Sequence, residues 1–186
     1  SFMKKTFEEI VEIPAGIEAE MLGPTRIKLK SGQKQIEKKF KVQAVELRKD
    51  GNKIIVSSDN AKKKTLATIN TICTHIKNAM HGLQKGYEYK LEIVYSHFPM
   101  KVKVGNGVVE IDNLVGAKQA RKARILEGVT VQVKGKDVIV NGYDKDNVGQ
   151  TAANIESASK VRGGKDIRNY QDGVYIVSKP KNEKSA

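Results

Sequence analysis

The sequence predicts an α+β fold of two tandem, duplicated units, each an antiparallel β-sheet packed against one main helix. Three observations predict it. The same order of short alternating segments occurs twice, starting at points about 85 residues apart in a chain of 186. Each half holds a strand pair joined by hairpin chemistry and then one long segment of helical apolar period. The chain has no Trp and 5% aromatic residues against 39% hydrophobic ones. That balance suits two small cores of Ile, Val, Leu and Ala better than one large aromatic-filled core.

Ile13-Pro14 opens the first half and Phe98-Pro99 the second. An alternating segment follows each proline, Ile17 to Leu22 and Met100 to Val104. A second strand comes next, Arg26 to Lys30 and Val108 to Asp112, and then a basic segment, Gln33 to Lys41 and Lys118 to Arg124. Two further strands follow in each half: Val42 to Leu47 with Lys53 to Ser57, and Val129 to Val133 with Asp137 to Asn141. Their turns, Asp50-Gly51-Asn52 and Gly135-Lys136, carry the residues that tight hairpins need. Leu66, Ile69, Ile72, Cys73, Ile76 and Met80 recur at helical spacing and predict a helix over 63–80, with Gly82 and Gly86 as stops. Val148, Ala152, Ile155, Ala158 and Val161 predict a second helix over 147–160, ended by Gly163-Gly164. Residues 90–95 read as a long strand leading out of the first unit. The expected organisation is an N-terminal unit over 1–90, a C-terminal unit over 91–178 and a loose charged tail over 179–186.

Charge sets the class of partner. The formal net charge is +13, with a pI of about 9.7. A small domain is soluble with a net charge of about 2–8, so this excess points to a polyanion, each Lys or Arg set against a phosphate releasing condensed counterions. Enzyme readings fare badly. His75, His81 and His97 have no metal-ligand spacing with Cys73 or with carboxylates, so neither a metal nor a cofactor is expected. Cys73 and His75 lie two apart on a predicted helix, point about 200° apart and form no local nucleophile–base pair. Cys73 sits on the apolar stripe and reads as a core thiol. One cysteine makes no internal disulfide, which suits a reducing compartment. No run approaches the ~20 apolar residues of a membrane span, and no charged-then-apolar leader opens the chain. The expectation is an intracellular protein with no membrane partner and no homo-oligomer. Gly105-Asn106-Gly107 joins two strands and is a hairpin turn. Gly163-Gly164-Lys165 follows a helix where a phosphate-binding loop precedes one.

The basic clusters are the candidate binding residues. Lys118, Arg121, Lys122 and Arg124 lie in an acid-free run over 113–126, among Gly116, Ala117, Ala120 and Ala123. Small and cationic residues together let a chain lie close to a phosphate backbone. Lys160, Arg162, Lys165 and Arg168 surround Gly163-Gly164 at the end of the second helix, where cations can grip phosphates. Tyr170 and Tyr175 are near enough in sequence to stack on a base or ribose, although Tyr175 reads better as a half-core residue. A third cluster, Arg26, Lys28, Lys30, Lys34, Lys38, Lys39 and Lys41, gives the first half the larger share of the excess charge. Arginine density and glycine adjacency favour the second half as the main binder.

Three stretches carry a family resemblance. They are Thr68-Ile-Asn-Thr-Ile-Cys-Thr-His-Ile-Lys-Asn78, Gly86-Tyr-Glu-Tyr-Lys90 running into Val94-Tyr-Ser-His-Phe-Pro99, and Lys165-Asp-Ile-Arg168 followed by Asp172-Gly-Val-Tyr175. In this order and at these separations the chain, from about Ile13 to Ser178, resembles the universal large-subunit ribosomal protein six family. Its eukaryotic member is called protein nine of the large subunit. The resemblance implies a non-enzymatic structural constituent of the large subunit that binds large-subunit ribosomal RNA near the sarcin–ricin loop and the stalk base, where translation factors dock. It implies neighbouring ribosomal proteins as further partners, and a cytoplasmic ribosome with nucleolar assembly if the host is eukaryotic. Carried over by matching segment, the rRNA-binding residues are Lys118, Arg121, Lys122 and Arg124 with Arg162, Lys165 and Arg168. His97 falls in the inter-domain stretch, either buried at the domain junction or in contact with RNA. Asp112 stands where many relatives are basic, which argues against RNA contact there. Residues 165–168 look like the eukaryotic or archaeal form, and Cys73-Thr-His75 and residues 95–99 favour the eukaryotic one. A free-standing RNA-binding regulator or assembly factor of the same fold, and a hydrolase pairing His97 with a carboxylate, are the rival readings.

Overall fold

The computed structural model describes residues 6–60, 62–112, 114–160 and 171–180. The chain forms two compact units that divide between Lys85 and Gly86.

The first unit runs β1 (Phe7–Glu12), β2 (Glu18–Gly23), β3 (Arg26–Ser31), β4 (Lys34–Lys39), β5 (Glu46–Asp50), β6 (Lys53–Ser58) and α1 (Lys63–Gln84). Its strands make two antiparallel sheets, ordered β1-β6-β5 and β2-β3-β4. The second unit runs β7 (Tyr87–Val94), β8 (Lys101–Val104), β9 (Val108–Asp112), a 3-10 turn over Leu114–Gly116, β10 (Arg121–Arg124), β11 (Val129–Lys134), β12 (Asp137–Gly142), α2 (Lys145–Ala158) and β13 (Gly173–Ser178). Its sheets are ordered β11-β12-β7-β13 and β10-β9-β8. Strand for strand the second unit repeats the first, with β13 added on the open edge of β7. The α+β class and the duplication expected from the sequence are therefore present in the fold, with two sheets per unit where one was expected.

Most of each apolar stripe is core, although Leu66, expected on the first stripe, is exposed at the start of α1. In the first unit Ile69, Ile72, Cys73 and Ile76 of α1 are buried with Ile27, Leu29, Ile54 and Val56 of the strands. In the second, Val148, Ala152 and Ile155 of α2 are buried in one cluster with Leu91, Val109, Ile111, Val138, Val140 and Val174. Each large aliphatic side chain so buried contributes about 1.5–3 kcal/mol relative to exposure. Cys73 is buried as expected, and burial, reinforced by the Glu9 carboxylate, pushes its thiol up to about 12.

Several boundaries differ from the sequence reading. The predicted break at residue 90 falls inside β7, which pairs along its length with β12 and also with β13, so this strand belongs to the second unit. The basic segments are not loops in full, since parts of them form the edge strands β4 and β10. β1 and β13 are additional strands. Gly82 does not stop α1; the helix continues to Gln84, and Gly86, with φ of 78°, makes the turn. α2 begins two residues early because Asp144 caps it, its carboxylate accepting from the Asp146 and Asn147 N–H groups. Val161, Gly163 and Gly164, expected at the end of that helix, lie outside the described residues.

Candidate nucleic-acid interface

The alternation of β8, β9 and β10 sorts the charges onto one face. Residues opposite one another on antiparallel strands share a face. Val104, Val109 and Ala123 form one such row, and Val102, Ile111 and Arg121 another; these rows lie on the core side, with Val109 and Ile111 fully buried and Val104 exposed at the end of β8. The outward rows are Lys103–Glu110–Lys122, Lys101–Asp112 and Val108–Arg124. That face carries four cations and two carboxylates. Lys122 lies 3.9 Å from Glu110 and Lys103 lies 3.5 Å from Asp112, and all four side chains are substantially exposed. Such surface pairs contribute little and open readily to a stronger anion. The equivalent face of the first unit carries Arg26, Lys28, Lys30 and Lys39 against Glu18, Glu20 and Glu37, with Arg26 paired to Glu37. It is closer to neutral.

Between β9 and β10 the chain reverses through Val115 and Gly116, with φ of 52° and 73°. A β-branched residue in the left-handed region is strained. Exposed Lys118 follows directly.

β10 is an edge strand, and α2 bonds to the backbone at its last residue and in the chain just beyond it. The Asn154 amide donates to the Arg124 carbonyl, the Leu126 N–H donates to Thr151 Oγ1, and the Asn147 amide donates to the Glu127 carbonyl, each at 3.1 Å. Asn147, Thr151 and Asn154 stand on one helical face, and this polar stripe takes the place of a neighbouring strand.

Arg121 joins the two clusters. It occupies an inward position, the equivalent of buried Ile36 in the first unit. Its guanidinium reaches the end of α2 and donates to the carbonyls of Lys160 (2.9 Å) and Ala158 (3.3 Å). A cation at the negative end of a helix dipole is favourable, and these carbonyls have no partner within the helix. So Lys118, Lys122 and Arg124 are exposed, Lys160 is exposed beside them, and Arg121 is half-buried with part of its donor set committed to the fold. Among the described residues no carboxylate pairs with Lys118, Arg124 or Lys160. Arg162, Lys165, Arg168 and Tyr170 lie outside the described residues.

The chain on either side of that segment is fixed. The buried Ser159 hydroxyl accepts from the Val174 N–H at 2.8 Å, Glu156 accepts from the Ile176 N–H at 2.7 Å, and Asp172 accepts from the Ser96 N–H at 3.1 Å. Tyr175, a candidate for base stacking, is half-buried and donates its hydroxyl to the Gln171 carbonyl. Lys101 and Lys103 were not singled out from the sequence, although the Lys-Val-Lys-Val alternation over 101–104 places both on the face of Lys122 and Arg124. His97 is exposed. Among the described residues no cluster of His, Cys, Asp or Glu is grouped to hold a metal ion, and no helix is long and apolar enough to cross a membrane.

A family model described as ribosomal protein L6 matches residues 98–166, which span the cationic sheet, α2 and part of the second cluster. The chain is 48% identical over 174 residues to the large ribosomal subunit protein uL6 of Sulfurisphaera tokodaii, covering 93% of this chain and 92% of that one. It is 45% identical over 171 residues to the protein of the same name from Methanococcus vannielii, covering 92% and 93%. With the uL6 of Aeropyrum pernix it shares 44% over 172 residues, again 92% and 93%. Identity at this level over nearly the whole length of both partners, with the duplicated fold, shows that the chain belongs to the large ribosomal subunit protein uL6 family.

Proposed function

We propose that this chain is a structural, non-enzymatic constituent of the large ribosomal subunit, and that its second unit holds ribosomal RNA through the outward face of β8-β9-β10, Lys118 and the end of α2. The observation that carries the reading is the Arg121 bridge, which brings Lys160 and the start of the second basic cluster against the first. Lys118, Lys122, Arg124 and Lys160 then form one cationic surface for the phosphates of folded RNA, and Arg162, Lys165 and Arg168, next in the chain, are proposed as further phosphate contacts. Lys101 and Lys103 extend it. The proposed contact lies near the sarcin–ricin loop and the stalk base, so that the bound unit supports the region where translation factors dock. Neighbouring large-subunit proteins are the further partners, the site of action is the cytoplasmic ribosome, and in a eukaryotic host assembly takes place in the nucleolus. Relatives named as large-subunit proteins support the ribosomal reading over a free-standing regulator.

The test is binding of the full chain to a large-subunit rRNA fragment that contains the sarcin–ricin region, with and without Lys118→Glu, Lys122→Glu and Arg124→Glu together. The expected result is a steep salt dependence in the wild type and a loss of affinity in the variant. Unchanged affinity for the fragment would overturn the assignment of this face.

A further inference from the structure

The duplication supplies an internal comparison, and one cleft differs between the copies. Phe40 N–H donates to the Thr25 carbonyl at 2.9 Å, as Ile125 N–H donates to the Gly107 carbonyl at 2.9 Å. Phe40 is thus the counterpart of Ile125, and 39–42 the counterpart of 124–127. On the helices, buried Ile69, Cys73 and Ile76 match buried Val148, Ala152 and Ile155. Thr68, Ile72 and His75 therefore stand where Asn147, Thr151 and Asn154 stand in the second unit.

In the second unit those three residues close the cleft with hydrogen bonds to the chain beside it. In the first they do not. The Thr68 and Thr71 hydroxyls donate to their own helix, at the carbonyls of Lys64 and Ala67, both at 3.0 Å. Ile72 has no polar group to offer. Among the described residues no hydrogen bond links 39–42 to α1. What remains is an open groove of about 570 Å³, bordered by Lys39, Phe40 and Lys41 on one side and by Lys64, Thr71 and His75 of α1 on the other. No carboxylate lines it. The Phe40 and His75 rings lie 6.3 Å apart across it, tilted by 36°. Lys64 and His75 are about 16 Å apart along the helix axis at 1.5 Å per residue.

We propose that this groove of the first unit binds a single strand of RNA. Lys39, Lys41 and Lys64 meet its phosphates, a base lies against the Phe40–His75 ring pair, and backbone groups of 39–42 left open by the missing side-chain bridges bond to the sugar or base edges. Three cations without an acid select a polyanion. Aromatic rings between cations are the means by which proteins hold unpaired bases, and neither a duplex nor an acidic peptide makes use of the ring pair. The proposal stands on groups separate from the cationic face of the second unit.

The experiment uses the full chain carrying Lys118→Glu, Lys122→Glu and Arg124→Glu, so that the first unit dominates the signal. Fluorescence anisotropy follows a labelled, mixed-sequence single-stranded RNA, and the same strand with 4-thiouridine is photocrosslinked for mass spectrometry. Adding Lys39→Glu, Lys41→Glu and Lys64→Glu should weaken binding by at least about tenfold and lower the salt slope by about 2, at roughly 0.7 per single-strand phosphate contact. Crosslinks should map to Phe40 or His75, and the exposed substitution His75→Ala should weaken binding while leaving the melting curve in place. Unchanged affinity in a folded charge-reversed protein, or crosslinks confined to the second unit, would overturn the proposal. So would displacement of the strand by a duplex of the same sequence, or by polyglutamate, as readily as by the unlabelled strand. The second-unit reading is tested with the first unit intact, so the two can fail independently.

Discussion

Arg121→Ala is the substitution that best separates folding from binding. The guanidinium makes two charge-assisted hydrogen bonds to carbonyls at the end of α2, at 2.9 and 3.3 Å. Hydrogen bonds to charged groups contribute about 1.5–3 kcal/mol each when buried. Here Lys160 is exposed and the longer bond is weak, so water recovers part of the loss. A cation at a helix C-terminus adds about 0.3–1 kcal/mol. The net expectation is a destabilisation of about 2 kcal/mol, which at roughly 4–8 °C per kcal/mol for a unit of this size lowers the melting temperature by about 8–16 °C. Arg124→Ala removes an exposed side chain with no protein partner among the described residues and should leave the melting temperature in place while lowering RNA affinity. The assay is thermal unfolding by circular dichroism beside filter binding to the rRNA fragment, on each single variant and the double. Arg121→Lys should recover part of the stability, since one ammonium can reach one carbonyl. An Arg121→Ala protein that melts with the wild type would refute the bridge, and with it the reason for joining the two basic clusters.

Three further outcomes follow from the same geometry. The triple variant at Lys118, Lys122 and Arg124 should reduce the slope of log affinity against log salt by about 2–3 on duplex-like RNA, at roughly 0.9 per phosphate contact; parallel salt titrations of both proteins read this directly. The Cys73 thiol is held at about 12, above its ordinary value of 9.0, which the exposed thiol of the unfolded chain is taken to have. The unfolded thiol therefore ionises first, and the stability this group contributes is present below pH 9 and is lost as pH rises towards 12. At about 1.36 kcal/mol per pK unit this reaches ~4 kcal/mol, so urea titrations of wild type and Cys73→Ala at pH 8 and pH 10.5 should show the gap between them narrowing. Gly142 sits where a Cβ would meet the Gly128 carbonyl oxygen at 2.5 Å and Val148 Cγ2 at 3.0 Å; Gly142→Ala should cost on the order of 2–3 kcal/mol in chemical denaturation, and a wild-type midpoint would show that the foot of α2 gives way easily.

Local chemistry made much of this fold legible in the sequence. Asp50-Gly51-Asn52 and Gly135-Lys136 turn hairpins where their residues say they should, and Gly51 and Gly135 both have positive φ. Most of each helical stripe became core because apolar recurrence at 3.6 residues has few other stable uses. β4 and β10 were obscured because an edge strand needs few inward apolar residues: Ile36 alone is buried in β4, and Ala123 alone in β10. β1 was missed because only Val11 of its six residues is buried. Asp144 with Asn147 was a readable cap that fixes the start of α2 earlier than the apolar stripe does. The cations of the candidate interface were legible as clusters, because an acid-free run among small residues is visible in one dimension. What could not be read was their orientation. Arg121, Lys122 and Arg124 are near neighbours in sequence, yet β10 turns Arg121 inward to a helix end and the other two outward. Only the pairing with β9 and the placement of α2 decide that. The first-unit groove was equally hidden, since it depends on Thr68, Ile72 and His75 failing to do what their counterparts do.

The most direct measurement is protein–RNA photocrosslinking of this chain in assembled large subunits, with the crosslinked residues read by mass spectrometry. Crosslinks to rRNA should concentrate in 101–124 and 160–168, on nucleotides of the sarcin–ricin and stalk-base region. Crosslinks absent from both stretches in a protein that is fully incorporated would contradict it.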